Sequence, residues 1–238
     1  MRYCFDLDET LCVTPRSRIY ADAVPYFKMI KHVNALHDAG NHITIFTARG
    51  STSGVDYNDL TKSQLKSWGV KYDTLIDKGK PSYDVFIDDK AYNAAYWRRR
   101  NDIIIVGFVA SSFDLLHAGH CLYLQDAKNI CDHLVAALQT DPTIDRPSKN
   151  KPIQSLEERL IQLKAVKYVD QVEIYNTESD LAQLLSEIKP DIRILGSDAK
   201  GKPITGVEYS NQIYYHDRSH SYSSSELRQR VKHHERFS

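Results

Sequence analysis

The sequence predicts an α/β protein built as two parallel-sheet, three-layer domains. Three observations lead there. Short apolar runs alternate with segments of helical period along the chain, the pattern of strands joined by crossover helices. The pattern restarts once, after the basic segment WRRRND at residues 97–102. In each half an apolar run ends in a polar cluster, FDLDET at residues 5–10 and FDLLHAGH at residues 113–120.

In chain order the candidate strands are Tyr3–Phe5, Ile43–Phe46, Val85–Ile87, Ile103–Val109, Leu134–Leu138, Ile192–Leu195 and Ile213–Tyr215. Each is a short apolar run rich in branched or aromatic side chains. Between them, Tyr123, Ala127, Ile130, Cys131 and Leu134 recur at helical spacing, as do Leu181, Leu184, Leu185 and Ile188. A helix-like run from Ala91 closes at WRRRND, and Ile103 opens the next strand. The expected domains are therefore residues 1–101 and 102–238. The joint holds almost no Gly, Pro or Ser, so a rigid connection is expected in place of a flexible linker.

Composition narrows the function. Lys plus Arg and Asp plus Glu balance at 31 each in 238 residues, and the isoelectric point is near 7.1. That balance argues against nonspecific binding to nucleic acid or membranes. No apolar run approaches a membrane span. The N-terminus MRYCFDLDET has an acidic residue by position 6 and does not read as a signal peptide. Cys4, Cys12, Cys121 and Cys131 show no CxxC pair and no zinc spacing. Buried free thiols in a reducing cytoplasm are the expectation.

Asp6 and Asp8 follow the first strand, where ligands bind in open parallel sheets. Alternation puts both on one face, and two carboxylates so close need a cation or a shared proton. Mg²⁺ suits them. The strand Ile43–Phe46 ends in Thr47, Val85–Ile87 ends in Asp88–Asp89, and Lys80 sits in a GKP turn. The four stretches FDLDET, ITIFTARG, KGKP and VFIDD resemble, in order, the motifs of the haloacid dehalogenase superfamily of phosphotransferases. The resemblance covers the first hundred residues and implies a phosphatase. Asp6 would attack phosphorus and form an aspartyl-phosphate; Asp8 would protonate the leaving group, then activate water. Thr10 and Thr47 would orient these groups and Lys80 would bind the phosphoryl group. Asp6, Asp8 and Asp88 or Asp89 would hold Mg²⁺. The short spacings leave no room for a cap domain. Glu9 stands where many members carry glycine.

In the second half, IIIVGFVA runs into SSFDLLHAGH, and a helix is expected from near Cys121. Gly119 permits a close turn, and the helix start is an anion site. His117 and His120 would flank it, with imidazoles able to donate to phosphate oxygens. The run resembles the HxGH motif of the cytidylyltransferase and adenylyltransferase superfamily. KNKPIQSLEER at 149–159, KYVDQV at 167–172, RILGSD at 193–198 and RSHSYSSSELR at 218–228 resemble further stretches of glycerol-3-phosphate cytidylyltransferases. The resemblance implies a Rossmann-like nucleotidyltransferase domain that uses CTP and Mg²⁺.

In that reading His117 and His120 stabilise the α-phosphorus under attack. Lys149 or Lys151 binds phosphates. Arg218, with Ser223 and Ser224, holds the β- and γ-phosphates. Ser112, Phe113, Gly196 and Asp198 line the nucleotide pocket. Asp114 orients a histidine or a substrate hydroxyl, or caps a turn; Arg159 binds phosphate or is a solvated helix charge. Ser111 replaces the glycine of GTFD, and Ser221 and Tyr222 replace the glycine and isoleucine of RTxGISTT. These changes bear on the base and the acceptor.

The expected protein is thus a cytoplasmic bifunctional enzyme. Its first domain hydrolyses a phosphate monoester. Its second makes a CDP-alcohol such as CDP-glycerol from CTP and a small alcohol phosphate, for a wall or capsule polymer. The two sites are expected to act on different esters or at successive steps, since otherwise one would destroy the other's substrate. The resemblance also implies a homodimer through residues 103–238. An ATP-dependent adenylyltransferase and a silent regulatory module are the alternatives.

Overall fold

The computed structural model describes residues 1–80, 88–218 and 220–234; the expected strand Val85–Ile87 lies outside them. The chain divides into two compact units, Met1–Ile104 and Ile105–Ser238.

The first unit runs β1 (Arg2–Phe5), β2 (Cys12–Val13), β3 (Val24–Pro25), α1 (Phe27–Asp38), β4 (His42–Phe46), α2 (Asn58–Ser67), β5 (Thr74–Ile76) and α3 (Ala94–Arg100). Its described sheet is β1-β4-β5, with Phe5 beside Ile45 and Phe46 beside Ile76, both pairings parallel. In β4, HITIF alternates, so Ile43 and Ile45 are fully buried while His42 and Thr44 are not. Helices α1 and α2 supply the parallel crossovers and bury Met29, Ile30, Val33 and Leu65. Helix α3 starts at Asn93, whose Oδ1 accepts from Ala95 N at 3.0 Å and Tyr96 N at 3.4 Å. Strands β2 and β3 form a short antiparallel pair.

The second unit runs β6 (Val106–Ser111), α4 (Ala118–Asn129), β7 (His133–Gln139), α5 (Leu156–Lys164), β8 (Gln171–Tyr175), α6 (Glu178–Ile188), β9 (Ile192–Gly196), β10 (Gln212–His216) and α7 (Ser224–His234). All five strands are parallel, in the order β10-β9-β6-β7-β8. The order reverses between β6 and β9, and that switch opens a crevice at the strands' carboxyl ends. Strand β7 is buried almost throughout, as a central parallel strand with both faces covered should be. Capping boxes start α5 and α6: Ser155 with Glu158, and Thr177 with Asp180. Phe108, Val135, Ala137, Tyr175, Leu181 and Leu185 form a buried core cluster.

The structure corrects several expectations. Strand β6 begins at Val106, not Ile103. Asp102 turns the chain with φ of 54°, and two side chains hold its entry to the sheet. The Asp132 carboxylate accepts from Ile105 N at 3.0 Å, and Asp191 accepts from Val106 N at 2.8 Å. The helical spacing through Leu134 overran, because Leu134 belongs to β7; α4 stops at Asn129. The helix expected near Cys121 begins at Ala118, which puts His120 in its first turn. The short strands β2, β3 and β5 carry too few residues for a period to show, and KYVDQV leads into β8. All four cysteines are free, but Cys4 is exposed. Among the described residues no helix is long and apolar enough to cross a membrane.

Candidate active site

In the first unit, β1 ends at Phe5 and carries Asp6 and Asp8 past its carboxyl end, with the fully buried Leu7 between them. Lys80 Nζ lies 2.7 Å from Asp6 Oδ2 and donates to Phe46 O at 3.1 Å. Thr47 is buried just beyond β4 and its hydroxyl accepts from Arg49 N at 3.3 Å. Arg49, from TARG, clamps Asp8: its Nε lies 2.9 Å from Oδ2 and its second terminal nitrogen 2.7 Å from Oδ1. Thr14 adds a hydroxyl bond to Asp8 at 2.6 Å. So Asp6, Asp8, Thr47 and Lys80 do gather. Sequence reading passed over Arg49, because its carboxylate partner stands 41 residues away.

The expected Mg²⁺ ligands fit less well. Asp6 already faces Lys80 and Asp8 already faces Arg49. Asp88 and Asp89 are exposed, and Asp88 caps the N–H of Lys90 at 2.7 Å. Among the described residues no group of three potential ligands stands together. Thr10 is half-buried in the turn after Asp8, its N–H directed to Leu7 O at 3.3 Å.

In the second unit, SSFDLLHAGH makes a tight loop from β6 to α4. Phe113 and Leu115 both take left-handed backbone conformations, with φ of 46° and 51°, a geometry concentrated at functional loops. The loop delivers His117 as the N-cap of α4. Its Nδ1 accepts from Gly119 N at 3.1 Å. In the neutral ring the proton is then on Nε2, which faces Ser224 Oγ at 3.2 Å; that hydroxyl donates in turn to Asp114 O at 3.2 Å. The His117 and His120 rings stack with centroids 4.0 Å apart. Only glycine fits between them and the α7 entry: a Cβ on Gly119 would lie 2.8 Å from Tyr222 O and 3.0 Å from the His117 ring. Burial, then the His117 ring and Arg218, pushes His120 down to about 3. Burial, then His220 and Arg218, also lowers His117. Both imidazoles are neutral at pH 7 in the free site, and His120 Nδ1 is buried without a partner among the described residues.

A cavity of about 450 Å³ opens over the strand ends, lined by Ser112, Asp114, His120, Lys149, Gly196, Asp198, Arg218 and Ser224 among others. A Cβ on Gly196 would come 2.5 Å from Asp198 Oδ1, so the Asp198 side chain would have to swing aside. Arg218 lies 3.4 Å from Asp198. Of the two candidate lysines, Lys149 lines the cavity, whereas Lys151 is 80% exposed and 3.8 Å from Asp141. Ser223 caps α7, accepting from Glu226 N at 3.1 Å. Phe113 is buried, with its ring centroid 5.5 Å from that of His120.

Two expected residues hold the loops. Asp114 accepts from Ile153 N and Gln154 N, both at 3.0 Å, and from Arg228 at 2.5 Å. Burial pushes its carboxyl up, but these donors outweigh that and hold it below the usual carboxylate range. Of its expected roles, the structure shows the turn cap. Arg159, read as a phosphate ligand or a solvated charge, is buried. Its guanidinium donates to the carbonyls of Ser112, Gln139, Thr140, Gln154 and Ser155 at 2.7–3.3 Å. The sequence reading missed Arg146, Tyr175, Glu178, Arg193 and Arg228, which also line the cavity. For Arg193 a signal existed: an arginine inside the apolar run IRIL.

Two helix starts, a neutral histidine pair and several cations surround one crevice on a doubly wound sheet, an arrangement suited to anions and compatible with a nucleotidyltransferase. The chain belongs to the cytidylyltransferase-like family, whose model matches residues 108–230. Curated relatives include the bifunctional protein HldE of Campylobacter jejuni subsp. jejuni serotype O:6 (strain 81116), 30% identical over 171 residues, 71% of this chain and 36% of the relative. That of Helicobacter pylori (strain HPAG1) is 35% identical over 126 residues, 52% of this chain and 27% of the relative. The chain thus spans about a third of the length of these relatives or less. A solved lipopolysaccharide core biosynthesis protein from Thermoplasma volcanium GSS1 is 29% identical, with 50% of this chain and 99% of that chain covered and a TM-score of 0.41.

Proposed function

We propose that the second unit transfers CMP from CTP to a small alcohol phosphate, with glycerol phosphate the first acceptor to test, releasing pyrophosphate and a CDP-alcohol. The observation that carries this is the stacked His117–His120 pair at the start of α4, of which His120 lines the cavity that α7 also enters. A phosphate oxygen of the acceptor attacks the α-phosphorus, and the bond from that phosphorus to the bridging oxygen breaks in line. His117 Nε2–H and His120 donate to the oxygens that gain charge. Lys149 and Arg218 counter the departing pyrophosphate, and the free N–H groups of α7 add to them. Mg²⁺ would neutralise phosphate charge; it would arrive on the triphosphate, since the cavity's Asp114 and Glu178 are already engaged. Catalysis here is positioning and charge stabilisation.

The first unit reads as a haloacid dehalogenase-like phosphatase without a cap. Supporting it, Asp6 stands beside Lys80 past the end of β1, and Thr47 follows the end of the neighbouring strand β4. Asp6 would attack phosphorus while the ester oxygen leaves. Asp8 would activate the water that then releases phosphate on turning away from Arg49, which here holds both its oxygens. Its substrate differs from the acceptor of the second unit.

The test is pyrophosphate release by the full chain with Mg²⁺, CTP or ATP, and a panel of phosphorylated alcohols. Asp6→Asn runs alongside to remove phosphatase background. CTP-dependent release that His120→Ala abolishes is the expected result. Release with ATP alone would overturn the choice of base, and binding of neither nucleotide would overturn the transferase reading.

A further inference from the structure

Four arginines line the cavity: Arg146, Arg193, Arg218 and Arg228. Among the described residues, three have carboxylates. Arg146 lies 3.1 Å from Glu178, Arg218 3.4 Å from Asp198, and Arg228 2.5 Å from Asp114. Those three side chains are 42%, 54% and 22% exposed. Arg193 is 4% exposed, and neither its Nε nor one of its terminal nitrogens has a hydrogen-bond partner among the described residues. Its guanidinium lies over the Phe108 ring at 4.9 Å. This inverts the usual order: a solvated guanidinium needs no partner, but a buried one does. An arginine cannot escape by losing its proton.

Its place in the fold is informative. Arg193 pairs with Phe108 across β6 and β9, the two strands at the switch point. The groups whose charge it feels are Tyr123 on α4, then Tyr175 and Glu178 at the β8–α6 side, all lining the cavity. The triphosphate, in the reading above, lies at the starts of α4 and α7, where Arg218 and the histidines stand. That leaves the β8–α6 side for the acceptor.

We propose that Arg193 is an oxyanion subsite for the acceptor, so that the acceptor is a small phosphate ester carrying a second anionic group, a carboxylate or a further phosphate. This rests on the transferase reading and narrows it. The attacking phosphate goes to the histidines, and the second anion sits against the Arg193 guanidinium where it lines the cavity. A carboxylate or phosphate matches the planar fork of a guanidinium bidentately. Plain glycerol phosphate would leave the subsite unfilled.

The experiment uses the full chain with two matched pairs of probes. One is 3-phosphoglycerate against glycerol 3-phosphate; the other is glucose 1,6-bisphosphate against glucose 1-phosphate. Dissociation constants are measured with CTP bound, for the wild type, Arg193→Met and Arg193→Gln, and the CTP constant is measured separately. The expected result is an advantage of about ten- to hundred-fold for the doubly anionic member of one pair, lost in both variants while CTP binding is unchanged. The first pair responding identifies a phosphorylated acid; the second identifies a bisphosphate. Without ligand, Arg193→Met should melt a few degrees higher, because a bare buried charge is replaced by apolar packing. No advantage in either pair, an equal advantage in the variants, a weaker CTP constant in the variants, or a lower melting temperature would each overturn the proposal. Failure of the wild type to bind CTP would instead sink the transferase reading.

Discussion

Replacing His120 by asparagine should change how the protein's stability responds to acid. The folded ring is held down at about 3, against 6.5 for an ordinary histidine, chiefly by burial. Its neighbours add to this, with the His117 centroid at 4.0 Å. The unfolded chain therefore takes up a proton first as pH falls. The stability tied to the neutral ring is fully present above 6.5 and is lost progressively between 6.5 and about 3. Each pH unit below 6.5 removes about 1.4 kcal/mol, so the wild type loses about 2 kcal/mol from this ring between pH 7 and 5. For the unit Ile105–Ser238 that carries the ring, that is roughly 6–10 °C of melting temperature. The asparagine side chain cannot titrate. Calorimetric melts of the wild type and His120→Asn at pH 7 and 5 should show the stability difference shifting by that amount in the variant's favour. Parallel acid dependence of the two proteins would refute the reasoning, because it would mean that the ring is solvated or paired in the folded state.

Two further substitutions separate scaffold from chemistry. Arg159→Met removes the donor that ties five carbonyls beneath the cavity floor; it should cost about 3 kcal/mol in urea unfolding while leaving nucleotide affinity near wild type below the transition. Unchanged stability with weakened nucleotide binding would instead restore the phosphate role. Arg49→Met leaves Asp8 without its cation and should destabilise the first unit by about 3 kcal/mol. The chain's two tryptophans, Trp68 and Trp97, both lie in that unit, so their fluorescence during denaturation reads it alone, and an unshifted midpoint would contradict the buried pair.

The alternation of apolar runs and helical periods determined the α/β class, because strand and helix differ in the spacing of their buried side chains. HITIF and LVAAL could be recognised for that reason. The HxGH and DxD clusters could be recognised because their members sit close in sequence, where local spacing fixes geometry. Boundaries were less legible. Val106 begins its strand because Asp132 and Asp191, distant in sequence, hold the backbone there.

The second class of failures concerns side chains whose role depends on distant partners. Lys149 and Lys151 look alike in KNKP, yet only Lys149 lines the cavity. Asp114 and Arg159 carry the charges of ligands, but the fold gives them backbone groups to hold. Arg193 shows the reverse: a lone charge in IRIL is conspicuous in sequence, but only the packed sheet reveals that no carboxylate among the described residues reaches it. Sequence by itself determined the α/β class and the polar clusters that follow β1 and β6, since both depend on neighbours a few residues away. Tertiary structure decided which charges are already satisfied and which remain for a ligand, because desolvation and pairing are set by residues far apart in the chain that folding brings within a few ångströms.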